Sequence, residues 1–131
     1  MKLIKSIMFV FMVSTFLAVT GTNASGASVG YSDITISALG GTYTTSAYDK
    51  TKSGPKQRIY TTDMTTSMKA RTYATLSPSG YSDWINLQKK AEQDWGNQNS
   101  DINQYKLQIK CTGYNLLNEK YWGIWKYNWP E

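Results

Sequence analysis

The run Tyr121-Trp122-Gly123-Ile124-Trp125-Lys126-Tyr127-Asn128-Trp129 carries five aromatic side chains in nine residues, and the chemistry open to it is that of contact. Tyrosine and tryptophan join a large apolar ring to a polar tip, so they stack on sugar rings and settle at membrane interfaces. Alternation along a strand puts Trp125, Tyr127 and Trp129 on one face and Lys120, Trp122 and Lys126 on the other. Gly123, two residues before Trp125 on its face, leaves room for a large ring, so Trp125 is expected to point inward. Trp122 then points outward, and Lys120 and Lys126 flank it as a surface suited to an anionic glycan or a lipid head group. Tyr127 and Trp129 complete the expected contact set. The alternative is a strand covered on both faces, with all five rings in the core.

Catalytic chemistry has little to work with. The chain has no histidine and one cysteine, which excludes Ser-His-Asp and Cys-His catalysis, His-ligated zinc and an intramolecular disulfide framework. Two carboxylates could hydrolyse a glycosidic bond, and Glu92, Asp94, Asp101 and Glu119 are the acids near the tryptophans, but such acids are ordinarily solvated. Ser53 with Lys50 and Lys56 has the makings of a Ser-Lys dyad, set in a Gly54-Pro55 context that reads as a turn. Asp49, Asp63 and Asp101 stand apart, without the clustered oxygens of a calcium loop. The reading is a non-enzymatic protein with no cofactor and no metal. Cys111 shares strand parity with Leu107 and Ile109, so its thiol is expected to be buried and the chain a monomer; an intermolecular disulfide is the alternative.

The elements that position these residues follow from composition and period. Lys2 and Lys5 precede an apolar run over 7–19 and the small residues Gly21-Thr22-Asn23-Ala24, the layout of a secretory signal. The run falls short of the roughly 20 residues needed to span a bilayer. Residues 1–24 are therefore expected to be a leader, cleaved after Ala24 or after Ala27, and residues 25–131 a single exported domain. Removing Lys2 and Lys5 lowers the net charge from +5 to +3. The remaining cations are scattered, without the dense stripe that makes nucleic acid a specific partner. Phe9, Phe11 and Phe16 leave as well, so tyrosine and tryptophan must supply much of the core.

Period two dominates the domain. Met68, Ala70, Ala74 and Leu76 alternate with Lys69, Arg71, Tyr73 and Thr75, and Tyr105, Leu107, Ile109 and Cys111 alternate with Lys106, Gln108 and Lys110. Further strands are expected over 33–39, 42–47, 57–62 and 120–129, with a hairpin signal at Gly40-Gly41. Over 82–95, Trp84, Leu87, Ala91 and Trp95 recur at helical spacing, with Ser82 to cap and Gly96 to stop. One short helix is expected there; the alternative is a long polar loop with both tryptophans turned inward. The expected fold is mainly β, a small antiparallel β-sandwich with that helix.

The Thr/Ser/Tyr-rich strands, the late Tyr105-Lys106-Leu107-Gln108-Ile109-Lys110 strand and the Gly-x-Trp run ending Trp129-Pro130-Glu131 resemble the small secreted β-proteins of Gram-positive bacteria. Some of those form a domain of unknown function, and others are grouped with lactococcin-like bacteriocins. The resemblance covers residues 31–131 and implies an all-β sandwich, export, no cofactor and an envelope-directed, bacteriocin-like action. Two classes of function stay open: a secreted non-enzymatic protein that binds cell-wall glycan or an anionic membrane surface, and a secreted module, inhibitor or adhesion type, that docks a protein.

Overall fold

The computed structural model describes residues 27–76 and 80–128. The expected leader and Trp129 of the expected contact set lie outside these residues. The described chain forms strands β1 (Ala27–Ile36), β2 (Thr42–Thr44), β3 (Tyr48–Lys50), β4 (Arg58–Met64), β5 (Met68–Ala74), β6 (Ile85–Asn86), β7 (Ala91–Asp94), β8 (Asn103–Cys111) and β9 (Glu119–Asn128). The ladders between them are antiparallel and make two sheets. The first sheet has the order β1-β9-β4-β7, and the second has β2-β8-β5-β6 with β3 also paired to β8. The architecture is the small antiparallel β-sandwich expected from the alternation.

Strict alternation explains why β5 and β8 sit at the centre. Met68, Ala70, Thr72 and Ala74 are buried from β5, and Tyr105, Leu107, Ile109 and Cys111 from β8. Opposite them the first sheet contributes Ile36, Ile59, Thr61, Tyr121 and Trp125, all fully buried. With no phenylalanine among the described residues, the rings of the core carry polar tips that need partners, and those of Trp125, Tyr121 and Trp95 find one. The Trp125 indole Nε1 donates to Gln57 Oε1 at 2.9 Å, and Tyr121 OH meets Thr61 Oγ1 at 3.1 Å. Trp95 Nε1 donates to the Ala70 carbonyl at 3.3 Å. Tyr48, Trp125 and Tyr127 form a ring cluster with centroids 5.0 to 5.8 Å apart.

Thr45 explains how one edge of β8 is served by two short strands. Its N–H donates to the Leu107 carbonyl at 3.0 Å, and its Oγ1 accepts the Leu107 N–H at 2.9 Å. A side-chain oxygen thus replaces the ladder acceptor where β2 ends, and the ladder resumes at β3.

Two local expectations are corrected. Residues 82–95 hold no helix: β6 pairs with β5 in the second sheet, and β7 pairs with β4 in the first. Lys90, at φ 59°, turns the chain between them. Gln93 closes that turn, its Oε1 accepting the Gln88 N–H and its Nε2 donating to the Asn86 carbonyl. Ser82 does not cap a helix, because its Oγ accepts the Thr72 N–H at 2.9 Å. Pairing satisfies the edges of β4 and β5, which a helix would leave open. Leu87 and Trp95 fall at helical spacing, yet they enter the core just after β6 and just after β7, strands of different sheets. At Gly40-Gly41 there is no hairpin either, since β1 and β2 belong to different sheets and the turn carries the chain across the sandwich.

Candidate functional site

The outer faces of the two sheets differ in how their charges are handled. On the first sheet, burial of Tyr121, Gly123 and Trp125 turns Lys120, Trp122, Ile124 and Lys126 outward. Trp122 is half-buried and stands in register with Asp63. Lys120 Nζ lies 3.3 Å from Asp33 Oδ1 and donates to Thr35 Oγ1 at 2.9 Å. Lys126 Nζ lies 2.9 Å from Glu92 Oε1, and Arg58 approaches the same carboxylate at 3.5 Å. Both lysines of the expected contact set therefore have a carboxylate already. Tyr127 is on the other face, half-buried against Tyr48 and Trp125. The structure brings Trp122, Lys120 and Lys126 to one face and places Tyr127 on the opposite one.

The outer face of the second sheet is built otherwise. The register of β5 on β8 sets Lys69 opposite Lys110, Arg71 opposite Gln108 and Tyr73 opposite Lys106. The loop before β6 lays Tyr81 and Trp84 over this surface. The Arg71 guanidinium carbon is 3.9 Å from the Tyr81 ring centroid and 4.4 Å from that of Trp84, so the cation is held between two rings. Tyr81 stacks in turn on Tyr73, with centroids 4.6 Å apart and planes 21° from parallel. Lys69 and Lys110 each place Nζ 5.4 Å from the Trp84 ring.

Arg71 is oriented by a second device. Its Nε donates to Gln108 Oε1 at 2.8 Å, which fixes the rotation of the guanidinium plane that the rings clamp. The Nη groups make no hydrogen bond to described residues, so their donors are presented with the plane already set. A guanidinium so held suits bidentate binding of a phosphate or carboxylate.

None of the four ion pairs among the described residues involves Lys69, Arg71, Lys106 or Lys110. Asp83, beside Trp84, is turned aside, its Oδ2 accepting from Gln98 Nε2 at 3.3 Å. Asp49 is opposite Gln104 at the far end of β8. Lysines directly across from each other destabilise a ladder unless something answers their charge. Here an aromatic ring answers it in part, and no carboxylate among the described residues does.

The acids named for hydrolysis are engaged separately. Glu92 serves Arg58 and Lys126, Asp94 accepts the Gly96 N–H, Asp101 accepts from Ser53, and Glu119 accepts from Thr65. Ser53 thus meets a carboxylate, while Lys50 is buried with no hydrogen-bond partner for its ammonium among the described residues, and burial lowers its pKa. Cys111 is buried, and desolvation raises its thiol pKa. No three His, Cys, Asp or Glu side chains cluster among the described residues.

The sequence missed the arginine stack although half its signal was present. The outward parity of Lys69, Arg71 and Tyr73 and that of Lys106, Gln108 and Lys110 are each legible. That the two strands are neighbours is not, and the helical spacing over 82–95 draws Trp84 away from them. Comparison with protein-family models, curated proteins and solved structures finds no match.

Proposed function

We propose that the chain is an exported, non-enzymatic protein that binds a polyanionic glycan of the cell envelope through the outer face of its second sheet. The observation that carries this reading is Arg71, clamped between Tyr81 and Trp84 beside Lys69 and Lys110, with no carboxylate among the described residues paired to any of the three. The rings supply apolar surface for sugar faces, the cations supply counter-charge, and Arg71 supplies directional hydrogen bonds. Trp122 is a weaker anchor because Lys120 and Lys126 are engaged by Asp33 and Glu92. The expected leader accounts for access to the envelope, and the resemblance to lactococcin-like proteins adds growth inhibition as the consequence of binding.

The test is retention of the purified protein on washed cell walls, before and after chemical removal of their anionic polymers. Wild type should be retained on intact walls and released by salt, and Arg71→Gln should weaken retention at least tenfold while remaining folded. Equal retention of Arg71→Gln, or retention that survives removal of the polymers, overturns the reading. Salt-insensitive binding to one wall protein would favour the alternative, a protein-docking module.

A further inference from the structure

One end of the sandwich carries apolar side chains that folding does not use. Leu39 is 65% exposed, Tyr114 71%, Leu116 75% and Leu117 73%. They come from the β1–β2 turn and the β8–β9 loop, which are fastened to each other. The Leu39 N–H donates to the Asn115 carbonyl at 2.6 Å, and the Tyr114 ring covers Gly40, where an added methyl would lie 3.6 Å from two ring carbons. Beneath the loop, a cleft of about 300 Å³ bordered by Cys111, Leu116, Leu117 and Glu119 leaves the leucines without a packed floor. From this arrangement we infer that Leu39, Tyr114, Leu116 and Leu117 insert into an anionic lipid bilayer.

Asparagine side chains tie the backbones of the two segments together. Asn115 is buried; its Nδ2 donates to the carbonyls of Ser37 at 2.8 Å and Leu117 at 2.9 Å, and its Oδ1 accepts the Gly40 N–H at 3.1 Å. Asn118 Oδ1 accepts the Ala38 N–H at 2.8 Å. Backbone groups that enter a bilayer must be bonded within the protein, so a loop tied in this way can present leucines to lipid at less cost than an open one. Leu39 adds a second argument. It sits at φ 65°, a left-handed conformation that glycine or asparagine adopts far more readily than leucine. Neither its backbone nor burial of its side chain favours leucine there, so its use lies outside the fold.

Charge selects the partner. Lys110 and Lys69, opposite each other one residue from this end of β8 and β5, belong to no ion pair among the described residues. Glu119, the acid nearest the loop in sequence, is held by the Thr65 hydroxyl at 2.7 Å. An apolar tip with cations behind it is the pattern of a segment that enters an anionic interface. A second copy of this chain would bring the same lysines together, with Glu119 as the acid at the cleft. The inserting residues are separate from the Arg71 stack, and Lys69 and Lys110 are shared with it; the leucine variants test insertion without touching either lysine, so failure of insertion and failure of glycan binding are distinguishable.

The test places a polarity-sensitive dye at position 117 through Leu117→Cys in the full chain, Cys111 being buried. Mixing with phosphatidylglycerol vesicles should shift the dye emission to the blue, with a smaller shift on phosphatidylcholine vesicles. Leu116→Ser and Leu39→Gly, each placed in the labelled chain, should raise the lipid concentration needed for half the shift about tenfold or more, as expected for an exposed leucine withdrawn from lipid. Leu39→Gly should keep or raise the melting temperature, which a merely structural leucine would not. A dye that stays in water while the chain is vesicle-bound, equal shifts on both vesicles, or a wild type that dimerises through this end would each overturn the inference.

Discussion

Replacing Gly123 by alanine is the sharpest test of how β9 is packed. The ring that uses the space over Gly123 is Tyr121, whereas the sequence suggested Trp125. A methyl at this position would overlap the Tyr121 hydroxyl and ring, and would approach the Tyr60 carbonyl oxygen to 2.5 Å. Overpacking of this kind costs about 1–3 kcal/mol. Displacing Tyr121 also breaks its 3.1 Å bond to Thr61 and leaves a fully buried hydroxyl without a partner, for about 1–3 kcal/mol more. Gly123→Ala should therefore destabilise the domain by roughly 2–6 kcal/mol, against a typical total of about 5–15 kcal/mol. Urea denaturation gives the number, and Tyr121→Leu separates the two contacts. With the ring gone only the Tyr60 carbonyl opposes the methyl, so the double variant should show a coupling of about 1 kcal/mol or more. A loss below about 1 kcal/mol for Gly123→Ala, or strict additivity with Tyr121→Leu, would refute the account.

Trp125→Ala should cost about 3–5 kcal/mol, because a fully buried ring is lost and Gln57 Oε1 is left unpaired. Trp122→Ala, half-buried on the outer face, should cost about 1 kcal/mol, and similar urea midpoints for the two would show that Trp122 is core. At high pH the domain should unfold as its tyrosines ionise. Burial pushes Tyr105 and Tyr121 up to about 12 and raises Tyr31. A raised folded pKa gives stability that is complete below the unfolded value of about 10 and is lost as pH climbs through about 12. Lys50 acts in the opposite sense, since its lowered pKa makes stability rise with pH beneath its ordinary range. Phenolate absorbance should therefore rise together with loss of the sheet signal in circular dichroism, and Tyr121→Phe should make the decline in stability over that range shallower. Smooth ionisation of every tyrosine near pH 10 in a folded chain would contradict the burial.

What the sequence made legible was parity, and parity needs only one strand. The inward faces of β5 and β8 are readable from alternation of period two, and the sandwich follows from having several such strands; β9 is less regular, with Trp122 and Ile124 on its outward face and Asn128 buried from that same parity. Pairing was not readable, since it depends on which strands meet across a sheet. Two short edge strands escape for a related reason: β6 and β7 are too brief to show a period, and Trp84, just before β6, and Trp95, just after β7, fall at helical spacing although the two strands lie in different sheets. β3 escaped because Thr45 breaks the edge of β8 in two, and nothing in a single strand announces that a side-chain oxygen will stand in for a backbone one.

The same limit explains why the contact surface expected at Trp122 and the one built around Arg71 differ. A run rich in tryptophan draws the eye in sequence, yet what a surface can bind depends on whether its charges are already answered. On β9 they are: the lysines that flank Trp122 face Asp33 and Glu92, carboxylates supplied by β1 and β7. Across the sandwich, β5 and β8 set Lys69 against Lys110 and leave the pair to an aromatic ring. A carboxylate at either position would form an ion pair and relieve the repulsion. Keeping two lysines there costs stability, and Arg71 is given an orientation from both sides that packing alone does not require. Uncompensated cations with a preset guanidinium make sense where the missing negative charge arrives with a ligand, and this separates the second face from the first despite their shared content of Lys, Tyr and Trp.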